Sequence, residues 1–414
     1  MSKKRVVVTG MGIVSCFGND VHAFYQKLLA GESGVGPISL FDCADYPTRF
    51  AAEVKDFDPG HYIDKKQARR VDRCISFSLV AGKRAMEMAK LFPEVPEHLD
   101  KSRCGVIIGS GIGGMSTFAE NVQILNEKGH RKITPFLIPF ILTNMGSGLL
   151  AMDVGFMGPN YSISTACATS NNCIIAAAEH IRNGEADVMV CGGSEAPLSP
   201  IGLAGFCALK ALSTRNDAPA DASRPWDKNR DGFVMAEGAG ILVLESLEHA
   251  QKRNAPIFAE YLGGALSCDA HHMTDPRKDG AGISLCLNKA LVDAGITADK
   301  VDYINAHATS TPAGDMCEIT GCLDVFKQPE RIVLNSTKSM IGHSLGAAGG
   351  LEAIAVIQAI LTGMIHPNRN LEDAEDIPFQ LPRTAMSRTV ETAVSNSFGF
   401  GGHNSAVIFG RWRN

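Results

Sequence analysis

Short β-branched runs alternate along this chain with longer segments of helical periodicity. The runs occupy residues 5–10, 105–109, 187–192, 240–245, 257–262, 301–304, 332–334 and 405–409. Apolar residues spaced three and four apart predict helices between them, at 168–183, 246–254, 282–294 and 346–362. Strands that are apolar along their whole length are typical of sheets covered by helices on both faces, so the pattern predicts an α/β fold.

The strands fall into two sets of similar number, which suggests two related halves. A chain of 414 residues also exceeds the length at which a single core stops growing, about 250–300 residues. No identity-level repeat and no Pro/Ser-rich linker is visible, so the duplication is suggested by the element pattern alone. We place the division between an N-terminal half of residues 1–255 and a C-terminal half of residues 256–414.

Charge and cysteine content exclude several classes of protein. The 39 Lys and Arg against 44 Asp and Glu give a net charge of −5, and 45% of the residues are hydrophobic. Such a chain is not disordered, and it has no general electrostatic attraction for nucleic acid. The twelve cysteines include no Cys-x-x-Cys pair, which fits a reduced compartment. Without a recognisable signal or transit segment, we expect the cytoplasm, or an organelle stroma for a processed form.

One uncharged segment is long enough to span a membrane. The 20 residues between Lys132 and Asp153 carry no charge, but two prolines and several polar residues interrupt them. We therefore expect this segment to be buried in the core or at a subunit interface, and we expect no insertion into a membrane.

Cys167 is the first candidate for catalysis. Small polar residues precede it and the helix predicted at 168–183 follows, so the thiol is expected at the N-terminal end of that helix. Unpaired amides and the positive end of the helix dipole favour the thiolate, which is the nucleophilic form of cysteine. The alternative is a purely structural role, because cysteine is among the most buried small residues.

Two histidines and a lysine are further candidates. His307 follows the apolar run 301–304, and His343 precedes the helix predicted at 346–362; catalytic groups in α/β proteins usually lie at such boundaries. Lys338 lies in a loop of small residues before His343. Structural histidines and a solvated lysine are the alternatives. Zinc binding by Cys167 and both histidines lacks any close-spaced ligand pair, so we expect no metal.

The segment 396–404 contains three glycines and two phenylalanines. Glycines allow a backbone amide to approach a ligand closely, as an oxyanion hole requires. A plain β-hairpin is the alternative.

Taken together, the order and spacing of these motifs resemble the β-ketoacyl-acyl-carrier-protein synthases, specifically the elongating type II ketosynthases of the synthase II group. The likeness covers essentially the whole chain. The family's cysteine stretch matches residues 165–169, its first histidine motif 305–315, and its lysine and second histidine 336–343. Ala308 and His403 depart from many bacterial members and resemble the plant-type subset.

The resemblance implies a thiolase-like fold of five αβαβα layers, built from two pseudo-repeated halves and usually assembled as a homodimer. The implied activity is acyl transfer by decarboxylative Claisen condensation of acyl-carrier protein with malonyl-carrier protein, in fatty acid elongation. The acyl carrier protein would be the partner. No cofactor is implied beyond the phosphopantetheine that the substrates carry.

The resemblance also implies roles for individual residues. The residues that match the family's catalytic set are Cys167, His307, Lys338 and His343. The backbone amides of Cys167 and Phe400 would form the oxyanion hole, and Glu352 would support the cluster. The acyl pocket matches Ile112, Phe206 and Phe400. The residues that match the pantetheine contacts are Thr309, Thr311, His272 and Thr274.

An acidic carrier protein requires a basic docking patch despite the net negative charge. Lys65, Lys66, Arg69 and Arg70 are candidates, because on a helix the pairs 65/69 and 66/70 share a face. Lys210 is a further match to the family. An ordinary solvated helix face is the alternative.

Three other functions stay open at this point. Thiolases and chain-initiating synthases that use coenzyme A typically carry a different Cys/His/Asn or Cys/His/Cys set, which two histidines and Lys338 disfavour. A non-catalytic subunit that determines chain length would lack the nucleophile, and the presence of Cys167 argues against it. These motifs do not distinguish a ketosynthase of a polyketide-type pathway.

Overall fold

The computed structural model describes residues 3–68, 70–97 and 99–413. The strands are β1 (Val6–Val14), β2 (Gly36–Pro37), β3 (Phe50–Ala51), β4 (Cys104–Gly109), β5 (Asn160–Tyr161), β6 (Val188–Glu195), β7 (Gly238–Ser246), β8 (Ala259–Cys268), β9 (Tyr303–Asn305), β10 (Val333–Asn335), β11 (Met364–Ile365), β12 (Met386–Ser387), β13 (Thr392–Gly399) and β14 (His403–Gly410). The α-helices are α1 (Val21–Leu29), α2 (Lys65–Ala68), α3 (Arg73–Met88), α4 (Met115–Lys128), α5 (Leu137–Ile141), α6 (Met145–Val154), α7 (Thr169–Arg182), α8 (Pro200–Ala208), α9 (Leu247–Lys252), α10 (Ala281–Ala294), α11 (Pro312–Val325), α12 (Lys338–Ile341) and α13 (Ala348–Thr362).

One sheet of ten strands contains the same five-strand arrangement twice. Its order is β10-β9-β13-β14-β8-β1-β7-β6-β4-β5. In the first half β4 is parallel to β5 and β6, while β7 is antiparallel to β6 and β1. In the second half β9 is parallel to β10 and β13, while β14 is antiparallel to β13 and β8. The halves join where β1 pairs with β8. The two pseudo-repeated halves are confirmed; the division at 255/256, between α9 and β8, stays a prediction.

The helices form three layers around the two half-sheets. α3 and α6 cover the outer face of the first half, and α10, flanked by α11, covers that of the second. α7 and α13 lie between the half-sheets in the largest apolar core. The 18-residue segment Leu345–Thr362 is apolar and long enough to cross a membrane, but 89% of it is buried within the protein. Five layers result, as predicted.

Glycines allow the central helix α13 to lie directly on the sheet. A Cβ atom on Gly350 would lie 2.2 Å from the carbonyl oxygen of Gly240 in β7. A Cβ atom on Gly240 would lie 2.2 Å from the carbonyl carbon of Gly350. Larger side chains would push α13 away from β7, and with it the site residue Glu352.

The strands and helices predicted from periodicity are present, with ends that differ by a few residues. The pattern does not predict α3, although this helix is almost wholly buried. Its buried side chains include Ser76, Ser78 and Lys83 besides apolar ones, so polar residues interrupt its buried face. The uncharged segment after Lys132 forms two separate helices, α5 and α6, and no continuous span.

Candidate active site

A cavity of about 550 Å³ lies beyond the carboxyl ends of β4, β9 and β13. Ligands of α/β proteins usually bind at such ends. The predicted site residues that line it are Ile112, Cys167, Phe206, Lys210, His272, Thr274, His307, Thr309, Thr311, His343 and Phe400. The fold thus brings together residues from both halves of the chain around one space.

Cys167 lies directly before α7, as its position in the sequence predicts. The preceding Ala166 has a φ of +49°, which is rare for a residue other than glycine. Such backbone conformations cluster at functional sites. A Cβ atom on Gly399 would lie 2.7 Å from the carbonyl oxygen of Thr165 and 3.0 Å from the amide nitrogen of Cys167. Only glycine therefore allows the end of β13 to lie against the cysteine loop.

The protonation state of Cys167 differs from the sequence-based expectation. Burial raises the pKa of the Cys167 thiol to about 12. The charge of Lys338 lowers that pKa, whereas those of Glu195 and Glu352 raise it further. Burial therefore opposes the thiolate that the helix end was expected to favour. The thiol is protonated at neutral pH.

His343 and His307 face this thiol. Nε2 of His343 lies 3.0 Å from Sγ of Cys167, and the two imidazole centroids are 5.3 Å apart with their planes at 85°. Burial, followed by the charge of Lys338, lowers the pKa of each histidine well below 6.5. Both rings are neutral at pH 7, so a ring nitrogen can accept the thiol proton and each ring keeps one N–H donor.

The same three side chains have the spacing of a metal site. Sγ of Cys167 and the ring nitrogens of His307 and His343 all lie within 4.8 Å of one another. Zinc, however, binds the thiolate form of cysteine, so binding here would have to release the proton of a thiol whose pKa burial raises. The donor set suits a hydrogen bond between thiol and imidazole better than a metal, and the absence of a metal stays a prediction.

A buried carboxylate of α11 holds the loop that carries His307. Glu318 accepts hydrogen bonds from the amides of His307, at 3.0 Å, and Ala308, at 2.8 Å, and from Nδ2 of Asn396 at 3.0 Å. Burial raises the pKa of Glu318. Glu318 is not among the residues predicted from the sequence. An acidic side chain on the buried side of α11 is the signal that would have indicated it.

Lys338 and Glu352 form a buried ion pair behind the histidines. Their side chains are 2% and 1% exposed, and the ammonium group donates to the carboxylate. Burial raises the pKa of Glu352 to about 7, and Lys338 opposes that shift. The alternative of a solvated surface lysine is therefore wrong. Neither residue lines the cavity, so both act on it through position and charge.

Three buried side-chain oxygens on β9, β13 and α13 have no hydrogen-bond partner within the described part of the chain. They are Oδ1 of Asn305, Oε2 of Glu352 and Oδ1 of Asn396. Asn305 and Ser395 are register partners on β9 and β13, which places Asn396 beside them. Unpaired oxygens are the donors that a hard cation prefers, so these residues have the chemistry to hold one.

The remaining candidates divide the cavity into an apolar part and a polar part. Ile112, Phe206 and Cys167 pack against one apolar cluster. The hydroxyls of Thr309 and Thr311 lie 3.2 Å apart on the loop after β9. Phe400 lies at the tip of the hairpin between β13 and β14. The segment 396–404 therefore forms a β-hairpin, as the alternative interpretation of the sequence predicted, and residues of this hairpin also line the cavity.

The docking candidates other than Lys210 lie on α2 and in the residues just after it. Lys65, Lys66 and Arg70 are exposed, while Arg69 lies outside the described residues. Because α2 ends at Ala68, Arg70 belongs to the following turn, and the predicted helical face shared by Lys66 and Arg70 is wrong. The Arg70 guanidinium lies over the ring of Phe136, 5.8 Å from its centroid. Lys210 is exposed on the cavity wall instead.

Comparison with protein-family models gives two matches that together cover most of the chain. Residues 3–250 match the model described as "Beta-ketoacyl synthase, N-terminal domain", and residues 258–372 match "Beta-ketoacyl synthase, C-terminal domain".

Individual relatives are similar over nearly their full length. The "3-oxoacyl-[acyl-carrier-protein] synthase I, chloroplastic" of Arabidopsis thaliana is 60% identical over 413 residues, which cover 99% of this chain and 87% of the relative. The "3-oxoacyl-[acyl-carrier-protein] synthase 2" of Vibrio cholerae is 48% identical, covering 99% and 100%. A solved structure described as "type II PKS acyl-carrier protein in complex with its ketosynthase bound to the hexaketide" has a TM-score of 0.91 at 33% identity, covering 99% and 100%.

We expect alkylation of Cys167 by iodoacetamide to accelerate steadily with pH. With a thiol pKa of about 12, the thiolate fraction rises about tenfold per pH unit between about pH 7 and pH 10. Intact-protein mass measures the rate, and a Cys167→Ala variant corrects for the other cysteines. A rate that levels off below about pH 8 would contradict the protonated thiol.

Proposed function

The chain belongs to the β-ketoacyl synthase family, and we propose that it condenses an acyl group from one carrier protein with malonyl-carrier protein. The products are a 3-oxoacyl-carrier protein, longer than the acyl group by two carbons, and carbon dioxide. One observation carries the proposal: the Cys167 thiol faces two neutral histidines inside a cavity large enough for an acyl chain. The thiolase-like fold alone would not decide the chemistry.

In the first half-reaction Cys167 accepts the acyl group. His343, whose Nε2 lies 3.0 Å from Sγ, accepts the thiol proton as the sulfur attacks the thioester carbonyl. The amides of Cys167 and Phe400 are our candidates for stabilising the resulting oxyanion, and one such donor is typically worth ~3 kcal/mol. Collapse of the intermediate breaks the bond to the carrier's pantetheine sulfur, which takes the proton from His343. The enzyme is left as an acyl-thioester.

In the second half-reaction malonyl-carrier protein loses carbon dioxide and leaves an enolate. His307 and His343 are placed to donate one N–H each to the enolate oxygen, and a neutral ring keeps one such donor. For His343 this requires the tautomer protonated at Nε2, so its ring proton moves from Nδ1 to Nε2 between the two half-reactions. The enolate carbon then attacks the acyl group on Cys167. The C–S bond breaks, the new C–C bond remains, and the released thiolate takes a proton from solvent.

Lys338, Glu352 and Glu318 support this chemistry as positioning residues. Burial lowers the pKa of both histidines, and the charge of Lys338 lowers it further and so helps to keep the rings neutral. Glu352 on α13 holds the ammonium group of Lys338 in place, and Glu318 holds the backbone at His307. None of the three needs to touch the substrate.

The polar part of the cavity is our candidate for the pantetheine arm. Residues with hydrogen-bonding side chains line it, and they are Thr309, Thr311, His272 and Thr274. The substrates would bring the phosphopantetheine themselves, and no resident cofactor enters the scheme. We propose a location in the cytoplasm or, for a processed form, in an organelle stroma. The Arabidopsis relative is named as chloroplastic and the Vibrio relative is bacterial, which agrees with both.

Specific observations disfavour two alternative functions, the non-catalytic subunit and the polyketide-type ketosynthase. A non-catalytic subunit would not need a thiol in reach of His343, and Cys167 provides one. A polyketide-type ketosynthase is represented by a neighbour of 33% identity, against 60% for the 3-oxoacyl synthase of Arabidopsis.

Mixing the protein with a long-chain acyl-carrier protein should produce an acyl adduct on the wild type and none on a Cys167→Ala variant. Addition of malonyl-carrier protein should discharge the adduct and yield a 3-oxoacyl product two carbons longer. Intact-protein mass follows both steps. If neither protein forms an adduct, the condensing function is refuted and a non-catalytic subunit becomes the better hypothesis.

We further propose that exposed lysines of α2 contribute to carrier docking. Lys65 and Lys66 are exposed, and neither forms an ion pair with any residue that the structure describes. Carrier proteins are acidic, so unpaired surface cations would attract them. The solved neighbour contains an acyl-carrier protein bound to its ketosynthase, which shows that this fold type accepts such a partner.

Reversing both charges, by Lys65→Glu and Lys66→Glu, should raise KM for acyl-carrier protein about threefold to tenfold. KM for an acyl-pantetheine substrate should not change, because that substrate has no acidic surface. Steady-state kinetics at low salt provide the measurement, since salt screens surface charge. Lys252→Glu, at an exposed position of α9, is the matched control. Equal effects on both substrates would refute docking at α2.

The edge of the sheet is our candidate for a homodimer interface. β5 ends the strand order, and both of its residues are exposed. α6 packs beside β5, and α5 packs beside α4. Exposed apolar side chains of this region are Phe118, Val122, Leu125, Phe136, Ile138, Leu142, Met152 and Met157. An open edge strand beside many exposed apolar groups is typical of a subunit interface.

Sedimentation should therefore give twice the mass of one chain. An Ile138→Asp substitution should shift the protein toward the monomer. Ile138 is 61% exposed in a single chain, and a dimer through this interface would bury the new charge. Val292→Asp on α10, where the valine is 81% exposed, should leave the mass unchanged. A monomeric wild type would refute the interface.

A further inference from the structure

Glu195, the last residue of β6, is a fully buried carboxylate without a cationic partner among residues 3–68, 70–97 and 99–413. Its oxygens accept four hydrogen bonds from neutral donors. The donors are Oγ of Ser110 at 2.7 Å, the amide of Gly111 at 2.7 Å, the amide of Ile112 at 3.1 Å and the amide of Gly346 at 3.0 Å. Burying such a group is costly unless every oxygen is satisfied, so this site is built for a carboxylate.

The hydrogen-bond pattern indicates the ionised form. Both oxygens of Glu195 accept two hydrogen bonds each, and three of the four donors are backbone amides, which can only donate; the Ser110 hydroxyl is the one partner that could also accept. Burial raises the pKa of Glu195, and the four donors lower it. Hydrogen bonds to the charged form are the arrangement that keeps a buried carboxylate ionised.

Two glycines make room for this carboxylate. A Cβ atom on Gly346 would lie 2.4 Å from Oε2 of Glu195, and a Cβ atom on Gly111 would lie 2.9 Å from it. Any side chain at either position would displace the carboxylate or the loop. The approach of backbone to carboxylate therefore depends on glycine at both contact points.

Glu195 joins three segments of the cavity. The first is the loop after β4, where Ile112 lines the cavity. The second is the turn after His343, which includes Leu345 with a left-handed φ of +48°. The third is α7, the helix that follows Cys167. Oγ of Ser170, on the first turn of α7, donates to the carbonyl of Gly346 at 2.5 Å.

We propose that Glu195 is a positioning residue that sets the distance between Ile112 and the Cys167 thiol, and thereby determines which acyl chain lengths the cavity accepts. This inference rests on the proposed function and deepens it. Glu195 binds the amide of Ile112 directly, and it is tied to the cysteine helix through Gly346 and Ser170. Only acyl chains long enough to reach Ile112 would be sensitive to that distance.

The negative charge of Glu195 provides a second, independent readout. After burial and the charge of Lys338, Glu195 is the next influence on the pKa of the Cys167 thiol, and it raises that pKa. Removing the charge should lower the thiol pKa. A role of Glu195 in packing alone would not shift the pH dependence of thiol reactivity.

The test compares Glu195→Gln, which removes the charge, with Glu195→Asp, which keeps the charge and shortens the side chain. Each is assayed with one acyl-carrier substrate too short to reach Ile112 and one long enough to reach it. We expect the ratio of kcat/KM for the long and short substrates to change about tenfold or more in both variants, since small misplacements of a reacting group have effects of that order. Equal losses with both substrates, or none, would overturn the proposal.

Glu53→Gln is the matched control. Glu53 is also buried and accepts from the amide and hydroxyl of Ser39, at 2.8 Å and 2.6 Å, but it does not line the cavity. The ratio of kcat/KM for the long and short substrates should stay at the wild-type value in Glu53→Gln. Thermal unfolding shows whether each variant is folded. If Glu195→Gln does not fold, Glu195→Asp alone still tests the dependence on chain length.

Alkylation of Cys167 by iodoacetamide separates this proposal from the proposed function. At a fixed pH near 8 the thiol of Glu195→Gln should react several-fold faster than the wild type, while Glu195→Asp should react at the wild-type rate. Equal rates in all three proteins would overturn the link between Glu195 and the thiol. If the wild type forms no acyl adduct but Glu195→Gln still alkylates faster than the other two proteins, the proposed condensation is refuted while the link between Glu195 and the thiol is supported.

Discussion

The buried ion pair between Lys338 and Glu352 is the interaction on which the site depends. It joins the central helix α13 to the short helix α12, five residues before His343, and both side chains are almost completely buried. Removing one partner from such a pair typically costs about 3–5 kcal/mol, because the other charge is left buried and unpaired. The pair also places one fixed positive charge behind the reacting groups, where it favours neutral imidazoles.

Burial makes every reacting group neutral before the reaction starts. It raises the pKa of the Cys167 thiol and lowers the pKa of both histidines, so the thiol keeps its proton and the rings lack a second one. A thiol and an imidazole nitrogen 3.0 Å apart can exchange that proton when the substrate arrives. The free site therefore contains no ion pair between the Cys167 thiol and the His343 imidazole. Opposite charges on the two groups form only during acyl transfer.

The duplicated architecture explains how one cavity collects these groups. β4 and β9 are equivalent strands of the two halves, and β6 and β13 are another such pair. The loops that follow β4, β9 and β13 contribute Ile112, His307 and Phe400 to the cavity. The central helices α7 and α13, also equivalent by position, begin just after Cys167 and His343. The site lies where the two halves meet, so neither half could form it alone.

The sequence by itself determined the α/β element pattern, the duplication and the identity of the residues around the thiol, because periodicity and motif spacing are local properties. Only the tertiary structure decided that Lys338 is buried, that Cys167 is a thiol and that Arg70 lies beyond α2. It alone revealed Glu318 and Glu195, whose partners lie up to 151 residues away. Desolvation and long-range hydrogen bonds depend on which segments fold together, and no local pattern encodes that.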